Sequence, residues 1–204
     1  MNKHIFPTNA TLQREEKESL LGQKGIAIWM TGLSGSGKTT IAVALEKELA
    51  ATGKLTEVLD GDNIRNGLNN NLGFSGEDRL ENIRRIAEVT KLFVHCGIIT
   101  ICSFVSPTHL IRNTARNIIG EADFVEVYIS TSLEVCEKRD VKGLYAKARK
   151  GELKDFTGVQ TEFEAPIHPA LALDTATSTP EACAGKIIAY LNTRSVTVNG
   201  KKEF

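Results

Sequence analysis

The sequence has no pair of cysteines in CxxC spacing, no apolar run approaching eighteen residues and no excess of charge of either sign. Its cysteines, at positions 96, 102, 136 and 183, form no metal or redox pattern, and a chain that is 41% apolar builds its core without disulfide staples. Reduced, mostly buried thiols are expected. The histidines, His4, His95, His109 and His168, share no ligand spacing with the cysteines, so no zinc site is expected. The missing apolar run excludes a membrane-spanning helix, and the opening MNKHIFPTNATLQREEKESL lacks an export-type apolar segment, so a cytoplasmic protein is expected. Lys plus Arg and Asp plus Glu stand at 25 each. That balance gives no global attraction to nucleic acid or to a membrane surface, and any phosphate must be held locally. At 204 residues the chain has room for one sizeable core.

What is present is a rhythm. After a polar lead-in at residues 1–24, apolar runs at 26–30, 55–59, 98–105, 124–129 and 171–173 alternate with stretches of helical period. Ile41, Leu45 and Leu49 recur every four residues, and Leu80, Ile83, Ile86, Leu92 and Phe93 fall mostly on one helical face. Thr179 followed by Pro180 marks the start of a closing helix over 180–191. The alternation predicts βαβ units and a parallel sheet in a single domain at 25–192, followed by a tail at 193–204 that frays from Asn192 onward. The stretch 140–169 breaks the rhythm, being rich in Lys and Gly and long for a connection, and a loop of that length is usually a functional lid or a disordered linker.

One motif sits where its chemistry requires. Gly32, Leu33, Ser34, Gly35, Ser36, Gly37, Lys38 and Thr39 match the P-loop pattern and, with Thr40, join the first apolar run to a helix. The glycines let successive backbone N–H groups converge on phosphate oxygens, and the helix start adds partial positive charge. Lys38 is expected to reach the β- and γ-phosphates of ATP, and the Thr39 hydroxyl to hold Mg²⁺. The chain is therefore read as a P-loop NTPase with a three-layer α/β/α fold and a five-stranded parallel sheet, of the nucleoside-monophosphate-kinase type. No Asn-Lys-x-Asp signature for guanine is present, and the length suits a small-molecule kinase.

The second apolar run ends in Asp60-Gly61-Asp62-Asn63-Ile64-Arg65, at the sheet edge where ligands gather. Strand alternation is expected to put Asp60 and Asp62 on one side, with Gly61 leaving room for a ligand and Asp62 placed to accept a hydroxyl proton or to hold Mg²⁺ through water. The same residues are also good turn chemistry. Arg65, Arg79, Arg84 and Arg85 suit a phosphate- or sulfate-bearing acceptor, although helix-surface pairing with Glu77, Glu81 and Glu88 is the other reading, assigned first to Arg84 or Arg85. Lys142, Lys147, Arg149 and Lys150 give the lid a basic surface suited to closing over phosphates, or else simply a solvated one.

Taken together, GLSGSGKTT, LDGDNIRNGLNNNLGFSGEDRLENIRRIAEV, the Ser106-Pro107 step, FVEVYISTSLEVCEKRD, VKGLYAKARKGELKDFTG and FEAP resemble the adenosine 5′-phosphosulfate (APS) kinase family. The resemblance implies transfer of the γ-phosphoryl of MgATP to the 3′-hydroxyl of APS, by a cytoplasmic homodimer. It implies that Lys38 and Asp62 are catalytic, that Arg65, Arg79 and Asn82 hold the phosphosulfate and ribose, and that Phe74 and Phe163 stack on adenine. The segment at about 140–158 would be a mobile lid, in which Lys142, with Gly143 and Leu144, would close on the phosphates, and Ser106 would line the acceptor pocket. Ser106 is also the family's named phosphoserine position, a role direct in-line transfer does not need.

The chain departs from the family at Thr108, His109, Leu110 and Ile111, where an aromatic, an arginine and an acid are usual, while Arg112 and Arg116 are kept. Asp155 replaces a frequent Asn. These changes are expected to affect acceptor affinity and nucleotide affinity more than the reaction. The rival readings are a kinase for another small metabolite such as AMP or a sugar acid, and a non-catalytic nucleotide sensor.

Overall fold

The computed structural model describes residues 11–196. His4, the start of the lead-in and the end of the tail lie outside the described residues. The elements are α1 (Arg14–Leu21), β1 (Ile26–Thr31), α2 (Lys38–Ala51), β2 (Thr56–Asp60), α3 (Gly61–Asn66), α4 (Gly76–His95), β3 (Ile99–Ser103), α5 (His109–Ile119), β4 (Phe124–Ile129), α6 (Leu133–Arg139), α7 (Leu144–Arg149), β5 (Leu171–Leu173) and α8 (Pro180–Thr193). The five strands form one parallel sheet in the order β2-β3-β1-β4-β5, in agreement with the predicted class.

β1 is central, and all six of its residues are buried. Covered on both faces, such a strand reads as an unbroken apolar run. Its alternation sends Ile26, Ile28 and Met30 into the core beneath α2 and α8, and Ala27 and Trp29 into the core beneath α4 and α5. Burial of each large side chain contributes about 1.5–3 kcal/mol, so β1 anchors both layers. Ile41, Leu45 and Leu49 are buried as their spacing requires. Ile83 and Ile86 are buried, whereas Leu92 is exposed, because it lies on the helix face opposite the stripe of Ile83, Ile86, Ala87, Thr90 and Val94 that meets the sheet.

The ends of the domain are more ordered than composition suggested. In α1, Glu16 accepts a hydrogen bond from the N–H of Gln13, and Arg14 pairs with Asp123 and donates to Gly25 O. At the other end α8, capped by Thr179, continues to Thr193, and Val196 is buried with Lys24 N donating to its carbonyl. Fraying from Asn192 is thus corrected for the described residues: one apolar side chain past the helix keeps the chain on the core. Cys102, Cys136 and Cys183 are buried and Cys96 is exposed. Among the described residues no helix is long and apolar enough to cross a membrane.

The topology places the site. From β1 the chain crosses to β2 on one side of the sheet, and from β4 to β5 on the other, which leaves a crevice between the carboxyl ends of β1 and β4.

Candidate active site

The loop after β1 is shaped by contacts on its outer side. Gly32 has φ 152°, and a Cβ there would stand 2.6 Å from the carbonyl oxygen of Ile129. Gly37, with φ 99°, precedes the first turn of α2. Every carbonyl from Gly32 to Ser36 is engaged by a protein donor: Lys38 Nζ at Gly32 (3.0 Å) and Leu33 (2.8 Å), Tyr145 Oη at Ser34 (2.9 Å), Arg139 at Gly35 (3.3 Å) and Thr175 Oγ1 at Ser36 (2.8 Å). The Ser36 N–H closes a turn onto Leu33 O (3.2 Å), and with its oxygens committed to protein the loop can offer its other N–H groups to an anion, the arrangement of a backbone nest.

Lys38 is buried, and burial pushes its pKa down from 10.5 to about 8, against the opposing pull of Cys136, Asp60 and Asp62. Thr39 and Thr40 are exposed at the start of α2. The Thr39 hydroxyl donates to Asp60 (2.8 Å) and lies 3.4 Å from Ser103 Oγ, which groups hard oxygen atoms beside the loop.

The acidic pair is not arranged by strand alternation. Asp60 ends β2 and caps α3, accepting from Asp62 N at 3.0 Å, so Asp62 already belongs to a helix. Nor does Gly61 open a gap, since a Cβ there would make ordinary contact with Phe104 at 3.6 Å. Asp62 is exposed and pairs with Lys142 of the lid. It stands in the first turn of α3, whose cap Asp60 accepts from Thr39 and whose last turn carries Arg65.

Arg65 is half-buried, donates to the carbonyls of Leu72 (3.3 Å) and Gly73 (2.8 Å), and lies 4.3 Å from the centre of the exposed Phe74 ring. Burial first, and then the neighbouring charge of Arg79, lower its pKa. Two guanidinium groups that repel one another mark a place an anion would stabilise. Arg79 donates to Phe74 O, Asp155 O and Thr157 Oγ1 (2.8 Å), so α4 is tied to the far end of the lid. Asn82 is buried and its side chain accepts from Asn69 Nδ2 at 3.0 Å. Arg84 and Arg85 pair with Glu81, the surface role considered for them.

The lid contains structure that its composition hid. Asp140 accepts from the N–H groups of Tyr145 and Ala146, Gly143 takes φ 64°, and α7 follows from Leu144 with Tyr145 and Ala148 buried. Tyr145 packs edge-on against Phe156. Among the basic lid residues, Lys142 meets Asp62, while Arg149 is paired with Glu137 and turned to α6.

A cleft of about 440 Å³ lies in the crevice between β1 and β4, lined by Leu33, Tyr128, the 130–133 turn, Gly158 and Phe163. Of the predicted acceptor-binding residues, only Phe163 lines it. Its ring stacks on Tyr128, with centroids 5.8 Å apart. Ser106 lies elsewhere: at φ 36° and buried, its hydroxyl donates to Thr31 Oγ1 (3.0 Å) and accepts from Trp29 Nε1 (3.2 Å). Sequence reasoning passed over Arg139, Tyr145 and Thr175, because their spacing to the loop is long and only packing shows that they brace it.

The family model described as Adenylylsulphate kinase matches residues 24–174. The chain belongs to that family. It is 62% identical over 186 residues to the adenylyl-sulfate kinase of Bacteroides thetaiotaomicron, covering 91% of this chain and 92% of that one. The structure of the Mycobacterium tuberculosis APS kinase CysC in complex with AMPPNP and APS superposes with a TM-score of 0.81 at 43% identity, over 83% of this chain and 99% of that one. A hexameric APS kinase from Thiobacillus denitrificans matches at 29% identity and TM-score 0.65, covering 90% of this chain and 31% of that one.

Proposed function

We propose that the protein transfers the γ-phosphoryl group of ATP to the 3′-hydroxyl of APS, giving 3′-phosphoadenosine 5′-phosphosulfate and ADP in sulfate activation. The observation that carries this reading is the place of Asp62 in the first turn of α3, a helix capped by Asp60, which holds Thr39 of the P-loop helix, and carrying Arg65 in its last turn. The 3′-oxygen attacks phosphorus, the bond to the β,γ-bridging oxygen breaks, and the hydroxyl proton passes to the Asp62 carboxylate.

The loop from Gly32 to Thr40 holds the ATP phosphates, with Lys38 exchanging its carbonyl partners for β- and γ-oxygens. The hard oxygens of Thr39 and Asp60 fit Mg²⁺ and would hold it, and the ion would offset phosphate charge. Arg65 and Arg79 take the phosphosulfate, with Asn82 behind them. Phe74 and Phe163 take the adenine, and Lys142, with Gly143 and Leu144, moves from Asp62 to the phosphates as the lid closes. We assign no covalent relay to Ser106, because its hydroxyl is buried and already has two partners. We place the enzyme in the cytoplasm, where its ATP is made, and as a homodimer, which sedimentation of the purified protein tests.

The test is ADP release with MgATP plus APS, AMP or no acceptor, and the mass of the product. Turnover confined to APS with a 3′-phosphorylated product supports the proposal. ADP formation with AMP alone would sink it, and nucleotide binding without turnover on any acceptor would favour the sensor.

A further inference from the structure

The segment carrying Phe163 is fastened to the start of α5 by three hydrogen bonds. Glu164 N donates to Pro107 O (2.8 Å), His109 N donates to the Glu164 carboxylate (2.5 Å), and Arg112 donates to Glu164 O (2.7 Å). The same guanidinium donates to Ser106 O (2.9 Å), its Nε faces Glu126 at 3.0 Å, and it reaches His109 Nδ1 at 3.0 Å. An arginine has no acceptor, so Nδ1 of His109 must accept, which leaves that ring its proton on Nε2.

Arg112 is 1% exposed and Glu126 6%. Glu126 is held from its other oxygen by Arg116 at 2.7 Å. A core ion pair needs only the carboxylate. Here the remaining donors of Arg112 go to the carbonyls of Ser106, just before α5, and of Glu164, next to Phe163, and the rigid fork fixes β4, α5 and the 163–165 segment relative to one another. The Phe163 ring lies 5.8 Å from the guanidinium and is stacked on Tyr128, while neither Arg112 nor Glu126 lines the cleft.

We propose that Arg112, backed by Glu126, is a positioning residue for the acceptor, holding the Phe163 ring in the plane needed to bind the adenine of APS. The proposal rests on the functional reading above and adds to it a residue that acts without touching the substrate. The His109 ring, at a position where the chain departs from the family pattern, adds one acceptor, Nδ1, to the same junction.

The test is Arg112→Lys, which keeps the charge opposite Glu126 and removes the fork. The KM for APS is expected to rise about tenfold, with kcat and the KM for ATP within about twofold of wild type. Phe163→Leu should raise the KM for APS by itself, and the double variant should be no worse than Phe163→Leu, because Arg112 acts through that ring. Equal rises in both KM values, or additive losses in the double variant, would reduce Arg112 to a structural residue and overturn the proposal.

Fluorescence of Trp29, the one tryptophan and a donor to Ser106, checks that the variant is folded. Should Arg112→Lys not fold, Glu164→Ala removes only the carboxylate tie to His109 N. A rise of about threefold in the KM for APS alone then supports the proposal, and an unchanged KM overturns it. The two readings fail differently. A wild-type enzyme that ignores APS sinks the functional reading and the positioning role with it, whereas an active wild type beside an Arg112→Lys variant of unchanged KM sinks the positioning role only.

Discussion

Lys38 holds the most informative charge in the molecule. Burial lowers its pKa from 10.5 to about 8, so the folded protein carries that charge unfavourably below pH 8, and the penalty is relieved as pH rises through the interval between the two values. A triphosphate prefers the ammonium form. Nucleotide binding above pH 8 should therefore take up close to one proton, and affinity should fall as pH rises further; calorimetry at pH 9 in buffers of different ionisation heat reads this directly. Lys38→Met should abolish the uptake, and uptake persisting in that variant would move the proton elsewhere. Asp62 calls for a different measurement. Asp62→Asn is expected to lower kcat by about a hundredfold or more while leaving the nucleotide Kd within a few fold, as befits a proton acceptor. Matched losses in binding and turnover would make it a ligand-holding residue instead.

At the scale of elements, the lid is tied to the domain by Lys142 with Asp62, Arg149 with Glu137, Tyr145 with the P-loop carbonyl of Ser34, and Arg79 with Asp155 and Thr157. Two of the anchors, Asp62 and Arg79, are also proposed to meet substrate, so binding and lid contacts draw on the same groups. Tyr145→Phe removes one hydrogen bond, worth about 1 kcal/mol, and keeps the ring against Phe156. Faster proteolytic cleavage within 140–158 is expected, with a KM for ATP raised a few fold. A cleavage rate equal to wild type would show that packing alone holds the lid. The helix α7 within it was not legible beforehand, because six residues carry too little periodicity and the Asp140 cap lies outside them.

The whole molecule depends on two layers meeting one sheet closely. At Gly25, just before β1, a Cβ would stand 2.0 Å from the carbonyl oxygen of Val94 in α4, so backbone would have to move. Gly25→Ala should destabilise the fold by about 2 kcal/mol or more, seen as a lower urea midpoint at unchanged slope. A variant as stable as wild type would mean that the close approach is not required. From the sequence alone came the parallel sheet, the P-loop and the closing helix, because period, glycine placement and capping residues are local properties that the chain carries in order. Only the tertiary structure decided that Asp62 starts a helix, that Ser106 turns inward to Trp29, and that Arg139, Tyr145 and Thr175 brace a loop distant from them in sequence. Those are contacts between separate elements, and no local pattern encodes which side chain of one will face which carbonyl of another.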